Sequence, residues 1–221
     1  MAKYCVPERD RVALITLSAQ KDFVQAGSPV RALDWKRATG AMGRLIEGFR
    51  GRGAPIFHAV RLYRPDGSNV DACRRQAVEE GLRILMPGSL GAELIEDLRP
   101  QPCVRLNPEC LLGGRVQRLG PEEWAFYRPR WGAFYGSALE GELRARSIST
   151  LVLCGLTFST GIRATVYEAS ARDFRTVVVP DALGSTPDEA SVQELARIGV
   201  YLMTSDNCVH WLVGHDPSCA A

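Results

Sequence analysis

Residues 150–180 indicate the fold most clearly, because they contain two apolar segments with a segment of helical period between them. It begins with Thr150-Leu-Val-Leu-Cys-Gly155, continues through a helical pattern over 162–174, and ends with Arg175-Thr-Val-Val-Val-Pro180. Short aliphatic and β-branched runs of this length are typical of strands that are buried on both faces. A helix between two such strands predicts a parallel β-α-β unit.

The same alternation continues along the chain in both directions from this unit. Further strands are predicted over 12–17, 55–62, 124–127 and 200–204, further helices over 35–49, 70–85, 90–98, 137–146 and 192–198, and a long loop over 100–120. No internal repeat or linker interrupts the pattern, so we expect a single domain over residues 1–221. The prediction is an α/β fold with three layers, α/β/α, around a mostly parallel six-stranded sheet.

Composition excludes several classes of function. The 221 residues have a formal net charge of only +2, which argues against a nucleic-acid or membrane partner. No run approaches the ~20 apolar residues of a membrane span, and the N-terminus does not resemble a signal peptide. Seven cysteines without CxxC spacing indicate reduced thiols and a cytoplasmic location. His58, His210 and His215 are scattered, so we expect no metal site, and we expect no cofactor.

Ligands of open parallel sheets bind beyond the carboxyl ends of the strands, which directs attention to 17–23, 61–66, 127–134 and 156–163. Three motifs lie there: Ala13-Leu-Ile-Thr-Leu-Ser-Ala-Gln-Lys-Asp-Phe23, Arg128-Pro-Arg-Trp-Gly-Ala-Phe-Tyr-Gly-Ser-Ala-Leu139 and Cys154-Gly-Leu-Thr-Phe-Ser-Thr-Gly-Ile-Arg-Ala-Thr165. In order and spacing they resemble A-L-L-x-I-D-x-Q-x-D-F, K-x-x-x-S-A-F-x-x-T-x-L and G-V-x-T-x-x-C-V-x-x-T of the isochorismatase-like family of cysteine hydrolases.

The resemblance implies an Asp–Lys–Cys catalytic triad, whose positions correspond to Ser18, Arg128 and Gly161 in this sequence. All three residues are substituted, so a thiolate that attacks a carbonyl from this site is excluded. Isochorismatases proper also resemble this chain in carrying glycine at the nucleophile position. They keep the aspartate as a proton donor, however, and here that residue is Ser18.

The substituted residues still suggest chemistry of their own. Arg128 is predicted to bind a substrate carboxylate with its planar guanidinium, or else to form a structural ion pair. Ser18 is predicted to donate or accept one hydrogen bond, and Asp22 is an alternative acid that the family pattern retains for fixing a loop. Weaker acid or base candidates are Glu123, Tyr63 and Tyr127.

A helix is predicted to begin at Thr160 or Gly161, with Ser159 or Thr160 as its N-cap. The first free N–H groups of such a helix favour an anion or a polarised carbonyl. The resemblance implies that this terminus is an oxyanion hole, preceded by a cis peptide at Leu156–Thr157. The other predicted substrate-binding residues are Phe158, Trp131, Tyr127 and Arg61, although ordinary capping and packing explain these residues equally well.

Three functions therefore stay open. The first is an enzyme that acts without cysteine on an anionic or carbonyl small molecule, by hydrolysis, elimination or cyclisation. The second is a catalytically inactive relative that binds a metabolite or a partner protein. The third is a hydrolase with a relocated acid such as Asp22. The resemblance also implies a homo-oligomer.

Overall fold

The computed structural model describes residues 3–214, so His215 and Cys219 lie outside the described residues. Its strands are β1 (Val12–Leu17), β2 (Ile56–Val60), β3 (Gln117–Gly120), β4 (Glu123–Tyr127), β5 (Thr150–Gly155), β6 (Arg175–Leu183) and β7 (Tyr201–Leu202). They form one sheet of order β3-β4-β2-β1-β5-β6-β7. All neighbours in it are parallel except β3 and β4. The predicted α/β class and mostly parallel sheet are thus confirmed.

Helices cover both faces of this sheet and produce the three expected layers. They are α1 (Trp35–Arg52), α2 (Ala72–Glu79), α3 (Pro108–Leu112), α4 (Leu139–Ala145), α5 (Arg163–Ser170), α6 (Glu189–Arg197) and α7 (Ser205–Leu212). Apolar side chains of α1 and α7 pack on one face of the sheet. Those of α4, α5 and α6 pack on the other face.

Helix α1 illustrates how the sequence produces this packing. Its buried residues recur at intervals of three and four, which places them on one stripe against the sheet: Ala38, Ala41, Met42, Leu45, Ile46 and Phe49. Each large side chain among them contributes about 1.5–3 kcal/mol through burial. The helix ends at Gly53, whose left-handed conformation (φ 70°) suits a residue without a Cβ.

Three details of the sequence prediction are wrong. The sheet has seven strands rather than six, because β3 lies in the predicted loop and pairs antiparallel with β4. The segment 90–98 is not an α-helix and contains only a short 3-10 turn at Glu96–Leu98, because backbone groups before that turn bond to another segment. The N–H groups of Lys21 and Asp22 donate to the carbonyls of Glu93 and Gly91. The helix predicted over 70–85 is only Ala72–Glu79.

Two short helices had no counterpart in the sequence prediction. Helix α3 begins with Pro108 after Asn107, whose side chain accepts a hydrogen bond from the N–H of Cys110. Helix α7 is capped in the same way by Thr204, which accepts from the N–H of Asn207. Among residues 3–214, none of the helices combines the length and the hydrophobicity needed to span a bilayer.

Candidate functional site

The predicted site lies at the carboxyl edge of the sheet, where four neighbouring strands end. Ser18 follows β1, Arg61 follows β2, Arg128 follows β4 and Thr157 lies just beyond β5. Backbone hydrogen bonds continue the sheet by one residue here, since Ser18 donates to Ala59 and Arg128 donates to Val60. The parallel topology therefore brings together residues that lie more than a hundred positions apart in sequence.

Ser18, Arg128, Thr157 and Gly161 form a buried polar group that we call the Ser18 cluster. The Nη2 atom of Arg128 donates a hydrogen bond to Ser18 Oγ. Ser18 Oγ also lies 3.4 Å from Thr157 Oγ1. Ser18 and Arg128 are almost completely buried. The structure thus brings together all three residues that occupy the triad positions of the resemblance, and it adds Thr157.

The backbone of Ser18 adopts a left-handed conformation with φ 58°. This conformation costs an L-residue with a side chain roughly 1–2 kcal/mol, so the surrounding contacts must hold it. The hydrogen bonds of its N–H to Ala59 and of its Oγ to Arg128 do so. The turn redirects the chain at the end of β1 and leaves the hydroxyl of Ser18 against the guanidinium.

The space that a side chain at position 161 would need is already filled. A Cβ added at Gly161 would lie 2.5 Å from Thr157 Oγ1, 3.3 Å from Arg128 Nη2 and 3.5 Å from Leu17 Cδ2. Real Cβ atoms essentially never approach another heavy atom closer than 3.0 Å. The lack of a side chain at Gly161 therefore permits Thr157 Oγ1 to lie where a Cβ would be.

The helix beside the Ser18 cluster begins earlier than the sequence indicated. A π-helical turn covers Phe158–Ile162 and leads directly into α5, whereas the prediction placed the start at Thr160 or Gly161 with a side-chain N-cap. The turn is widened because the N–H of Ile162 donates to the carbonyl of Thr157, five residues back. The peptide at Leu156–Thr157 is trans, contrary to the expected cis bond, and no proline lowers the cost of a cis form there.

Arg128 is a buried cation that has no carboxylate partner among residues 3–214. Its Nη1 donates to the carbonyl oxygens of Arg130 (3.0 Å) and Trp131 (2.6 Å), and its Nε has no acceptor. Among the described residues, no carboxylate lies at ion-pair distance from it, so the predicted structural ion pair does not form. Burial, together with the nearby charge of Arg61, lowers the pKa of Arg128 to about 9.

Arg61 belongs to a neighbouring buried group with Tyr63 and Asp71, which the half-buried Arg74 also contacts. The Nη2 of Arg61 lies 2.7 Å from Asp71 Oδ2, which also accepts a hydrogen bond of 2.8 Å from the Tyr63 hydroxyl. Arg74 lies 3.5 Å from the same oxygen. Burial raises the pKa of Tyr63 above its usual value, so its hydroxyl stays protonated as the donor to Asp71. The Nη1 of Arg61 has no acceptor.

Asp22 lies in the loop after β1, but its carboxylate accepts a hydrogen bond from a backbone N–H group. Asp22 Oδ2 accepts a 2.6 Å hydrogen bond from the N–H of Leu85. A Cβ at Gly91 would lie 2.1 Å from Asp22 Oδ1, so the glycine lets the loop close over the carboxylate. This is the loop-fixing arrangement that the resemblance implied, and it engages the carboxylate in a backbone hydrogen bond.

Glu123 lies at the beginning of β4, at the sheet edge opposite the Ser18 cluster. Its Oε1 lies 2.8 Å from His58 Nε2, and both carboxylate oxygens accept from Arg50. His58 Nδ1 in turn lies 2.7 Å from Thr16 Oγ1. Burial alone raises the pKa of Glu123, and the hydrogen bonds from His58 and Arg50 override it and lower the pKa to about 2. Glu123, one of the weaker candidates for an acid or base, is therefore part of a separate buried network.

The predicted binding residues near the helix start are divided between the interior and the surface. Phe158 is buried in the core that α4 and α5 share, whereas Ser159 is exposed and Thr160 is half-buried. Tyr127 accepts a hydrogen bond of 2.9 Å from the side chain of Asn69. Trp131 is 43% exposed and lines an open groove of about 490 Å³. The other side chains of that groove include Asp71, Cys73, Arg130, Tyr135 and Glu168.

The sequence analysis did not identify Thr157 or Asp71 as part of the site. A partial signal existed for Thr157, since residues four apart face each other on a helix and position 161 is a glycine. Nothing in the sequence pattern connected Asp71 with Arg61. Within residues 3–214, no group of three histidine, cysteine, aspartate or glutamate side chains is placed to hold a metal ion.

Comparison with known proteins places these observations in a family. The model of the isochorismatase domain matches residues 12–207. A probable inactive nicotinamidase of Arabidopsis thaliana is 26% identical over 193 residues, 85% of this chain and 89% of the relative. A phenazine biosynthesis protein of Pseudomonas aeruginosa is 30% identical over 122 residues, 52% of this chain and 58% of the relative.

Solved structures show the same fold. An isochorismatase family protein from Desulfovibrio vulgaris superposes with a TM-score of 0.74 at 27% identity, covering 92% of this chain and 98% of that one. The N-carbamoylsarcosine amidase of Thermoplasma acidophilum superposes with a TM-score of 0.69 at 24% identity, covering 89% and 97% of the two chains. Proteins of this fold therefore include amide hydrolases.

Proposed function

This chain belongs to the isochorismatase family, and on that premise we propose that it is an enzyme that acts on an anionic or carbonyl small molecule without a thiol nucleophile. The observation that carries the proposal is the state of Arg128, a buried guanidinium with no carboxylate partner among the described residues. A buried charge without a counter-ion costs several kcal/mol, and a negatively charged ligand offsets that cost. Arg128 also occupies the position at which the family carries a cationic lysine.

The Ser18 cluster supplies hydrogen-bond donors rather than a nucleophile and a base. Because Arg128 donates to Ser18 Oγ, the hydroxyl proton of Ser18 remains available to a substrate oxygen or to Thr157. The guanidinium stabilises negative charge that develops on a substrate oxygen in the transition state. Donors held in place by packing favour hydrolysis, elimination or cyclisation through positioning and electrostatics, with no covalent intermediate.

A second candidate is a catalytically inactive protein that binds a metabolite or a partner protein. Two observations favour it: Thr157 fills the volume of the family's nucleophile, and the carboxylates of Asp22 and Asp71 are both engaged in other hydrogen bonds. The relative from Arabidopsis thaliana is itself described as a probable inactive nicotinamidase. In this candidate Arg128 retains an anion-binding role but nothing is turned over.

The third candidate uses Asp22 as a relocated acid. Its carboxylate would have to leave the N–H of Leu85 to reach a substrate, so the structure supports it least. Substitution Asp22→Asn tests it, because asparagine keeps an oxygen acceptor for Leu85 but cannot supply the acid. Loss of turnover in a folded Asp22→Asn protein supports the relocated acid, and full turnover refutes it.

The experiment that tests the proposal is mass spectrometry of a small-molecule extract from the source organism, incubated with purified protein. Wild type is compared with Arg128→Ala and with Arg115→Ala, since Arg115 is an exposed arginine in the segment before β3. A compound that gains one water indicates hydrolysis, and one that loses water or changes only its retention time indicates elimination or isomerisation.

The proposal requires that wild type and Arg115→Ala consume the same compound and that Arg128→Ala does not. Turnover that survives in Arg128→Ala refutes it. A compound that co-purifies with wild type but is never consumed supports instead the second candidate, an inactive protein that binds a metabolite.

A further inference from the structure

We propose that Arg61 and Arg128 together form one binding site for a carboxylate, so that the natural ligand is a carboxylic acid rather than a neutral amide or ester. The inference deepens the proposed function and rests on it. It adds Arg61, which follows a different strand from Arg128, as a second binding residue. It also narrows the proposed ligand from any anionic or carbonyl compound to one with a single negative charge.

The sheet register places these two arginines side by side. Val60 of β2 pairs with Tyr127 of β4, and Arg61 and Arg128 are the next residues of these two parallel strands. In the strands themselves, Ala59 and Phe126 belong to the same core cluster, on the face that carries α4 and α5. Because side chains alternate along a strand, Arg61 and Arg128 continue on that face.

Each of the two guanidinium groups retains a buried N–H without an acceptor. These are Nη1 of Arg61 and Nε of Arg128, and both residues are only 3% exposed. Buried polar atoms in folded proteins nearly always have a hydrogen-bond partner, so a ligand acceptor at this sheet edge would satisfy both donors. One carboxylate provides two oxygen atoms, which matches two donors from two side chains.

A ligand with a single negative charge would balance the buried charges of this site. Arg61 and Arg128 are buried cations, and the carboxylate of Asp71 (6% exposed) compensates one of them. Arg74 approaches Asp71 as well, but its side chain is 31% exposed, so solvent screens its charge. The buried groups therefore carry an excess of one positive charge. The charge of Arg61 adds to burial in lowering the pKa of Arg128, in keeping with two close cations.

A carboxylate fits this arrangement better than the alternatives. A neutral amide or ester oxygen accepts hydrogen bonds but does not compensate the charge. A phosphate dianion brings more charge than the buried excess and three oxygen acceptors for two donors. Guanidinium groups, moreover, are planar donors that match the plane of a carboxylate.

The test uses acetate as the probe, acetamide as its neutral isostere and inorganic phosphate as the competing anion. Each is titrated into the full-length protein while the ¹H–¹⁵N signals of the arginine Nε groups are recorded. We expect a saturable shift of the Arg128 Nε signal with acetate, no saturable shift with acetamide and a weaker response to phosphate. Replacing Arg61 by Gln should weaken acetate binding by about tenfold or more, since a charge-assisted hydrogen bond is lost.

Arg115→Gln is the matched control, because it removes an exposed arginine away from the site and should leave acetate affinity unchanged. If Arg61→Gln fails to fold once Asp71 loses its partner, Arg61→Lys replaces it. Lysine keeps the charge but not the planar donor pair, and it should also weaken binding.

Three results overturn the inference: no saturable acetate response in wild type, an equal response to acetamide, or tighter binding of phosphate. Unchanged acetate affinity in both Arg61 variants also overturns it. That last result leaves the proposed function standing, because the proposed function depends on Arg128 alone. Conversely, turnover that survives Arg128→Ala removes Arg128 from the proposed mechanism without affecting the acetate measurement on wild type.

Discussion

The packing of Thr157 against Gly161 gives a quantitative prediction about stability. The substitution Gly161→Ala by itself adds roughly 0.5–1 kcal/mol to the free energy of unfolding, because alanine restricts the unfolded chain and favours the helix. The new Cβ, however, lies 2.5 Å from Thr157 Oγ1, and overpacking of this kind costs about 1–3 kcal/mol. We therefore expect the single variant to lose about 1–2 kcal/mol of unfolding free energy.

Removal of the opposing hydroxyl should reverse this loss. Thr157→Ala alone sacrifices a long hydrogen bond of 3.4 Å to Ser18 and costs about 0.5–1.5 kcal/mol. In the double variant the Cβ at position 161 enters the space left by Thr157 Oγ1. The double variant should then be at least as stable as Thr157→Ala, which corresponds to a favourable coupling of about 1–2 kcal/mol.

The assay is urea unfolding at 25 °C of the wild type, both single variants and the double variant, followed by tryptophan fluorescence. Gly43→Ala is the control for helix propensity, because Gly43 lies in α1 and a Cβ there would meet nothing within 4 Å. It should be neutral or stabilising by up to about 1 kcal/mol. Additivity of the two single variants within about 0.5 kcal/mol would refute the packing argument.

Thr157 also obstructs a return to the Asp–Lys–Cys triad that the resemblance implies at positions 18, 128 and 161. Ser18→Asp, Arg128→Lys and Gly161→Cys together still leave Thr157 Oγ1 in the volume of the new thiol side chain. We expect this triple variant to be destabilised relative to wild type. Addition of Thr157→Ala should recover stability, which the same unfolding measurement detects.

Three further predictions concern buried groups elsewhere in the chain. Ser18→Gly should be more stable than Ser18→Ala by about 1 kcal/mol in urea unfolding, because both variants lack the hydroxyl but only glycine adopts φ 58° freely. Equal stabilities would contradict the backbone strain at position 18. The pKa of Glu123 is lowered from 4.5 to about 2, so the contribution of Glu123 to the free energy of unfolding is complete above pH 4.5 and is lost as the pH falls toward 2. Glu123→Gln should flatten this part of the plot of unfolding free energy against pH. An unchanged slope in acid would argue against the paired carboxylate. Burial raises the pKa of Cys154 and Cys208, so iodoacetamide at pH 8 should modify exposed Cys73 but neither of these in the native protein, as peptide mass spectrometry will show.

Much of the fold is predictable because the central strands are buried on both faces. Strands β1, β2 and β5 are apolar without interruption or nearly so, and their every residue is buried, which explains why short aliphatic runs located them. Edge elements carry a weaker signal. Only one of the four residues of β3 is buried, so its sequence resembles that of a loop. The segment 90–98 has helical spacing but bonds to the loop after β1 instead.

The candidate site was predictable as a location and less so as an arrangement. Parallel strands end at one edge, so the order of the motifs was enough to bring Ser18 and Arg128 together. The partners of the individual groups were not predictable in this way. Asp22 lies four residues after Ser18, yet its carboxylate accepts from Leu85, sixty-three residues further along the chain. Contacts of this range depend on loop paths that local sequence patterns do not specify.

The class of fold follows from the sequence alone, because buried strands require apolar runs, and so does the lack of a reactive side chain at position 161, because that residue is a glycine. What lies beside this glycine followed only from the packing of strands and helices. The hydroxyl of Thr157 lies where a side chain at position 161 would be, and among residues 3–214 no acceptor reaches Nη1 of Arg61 or Nε of Arg128. The physical reason is that side-chain identity specifies which groups can react, whereas the distances between groups remote in sequence arise only when the strands and helices pack.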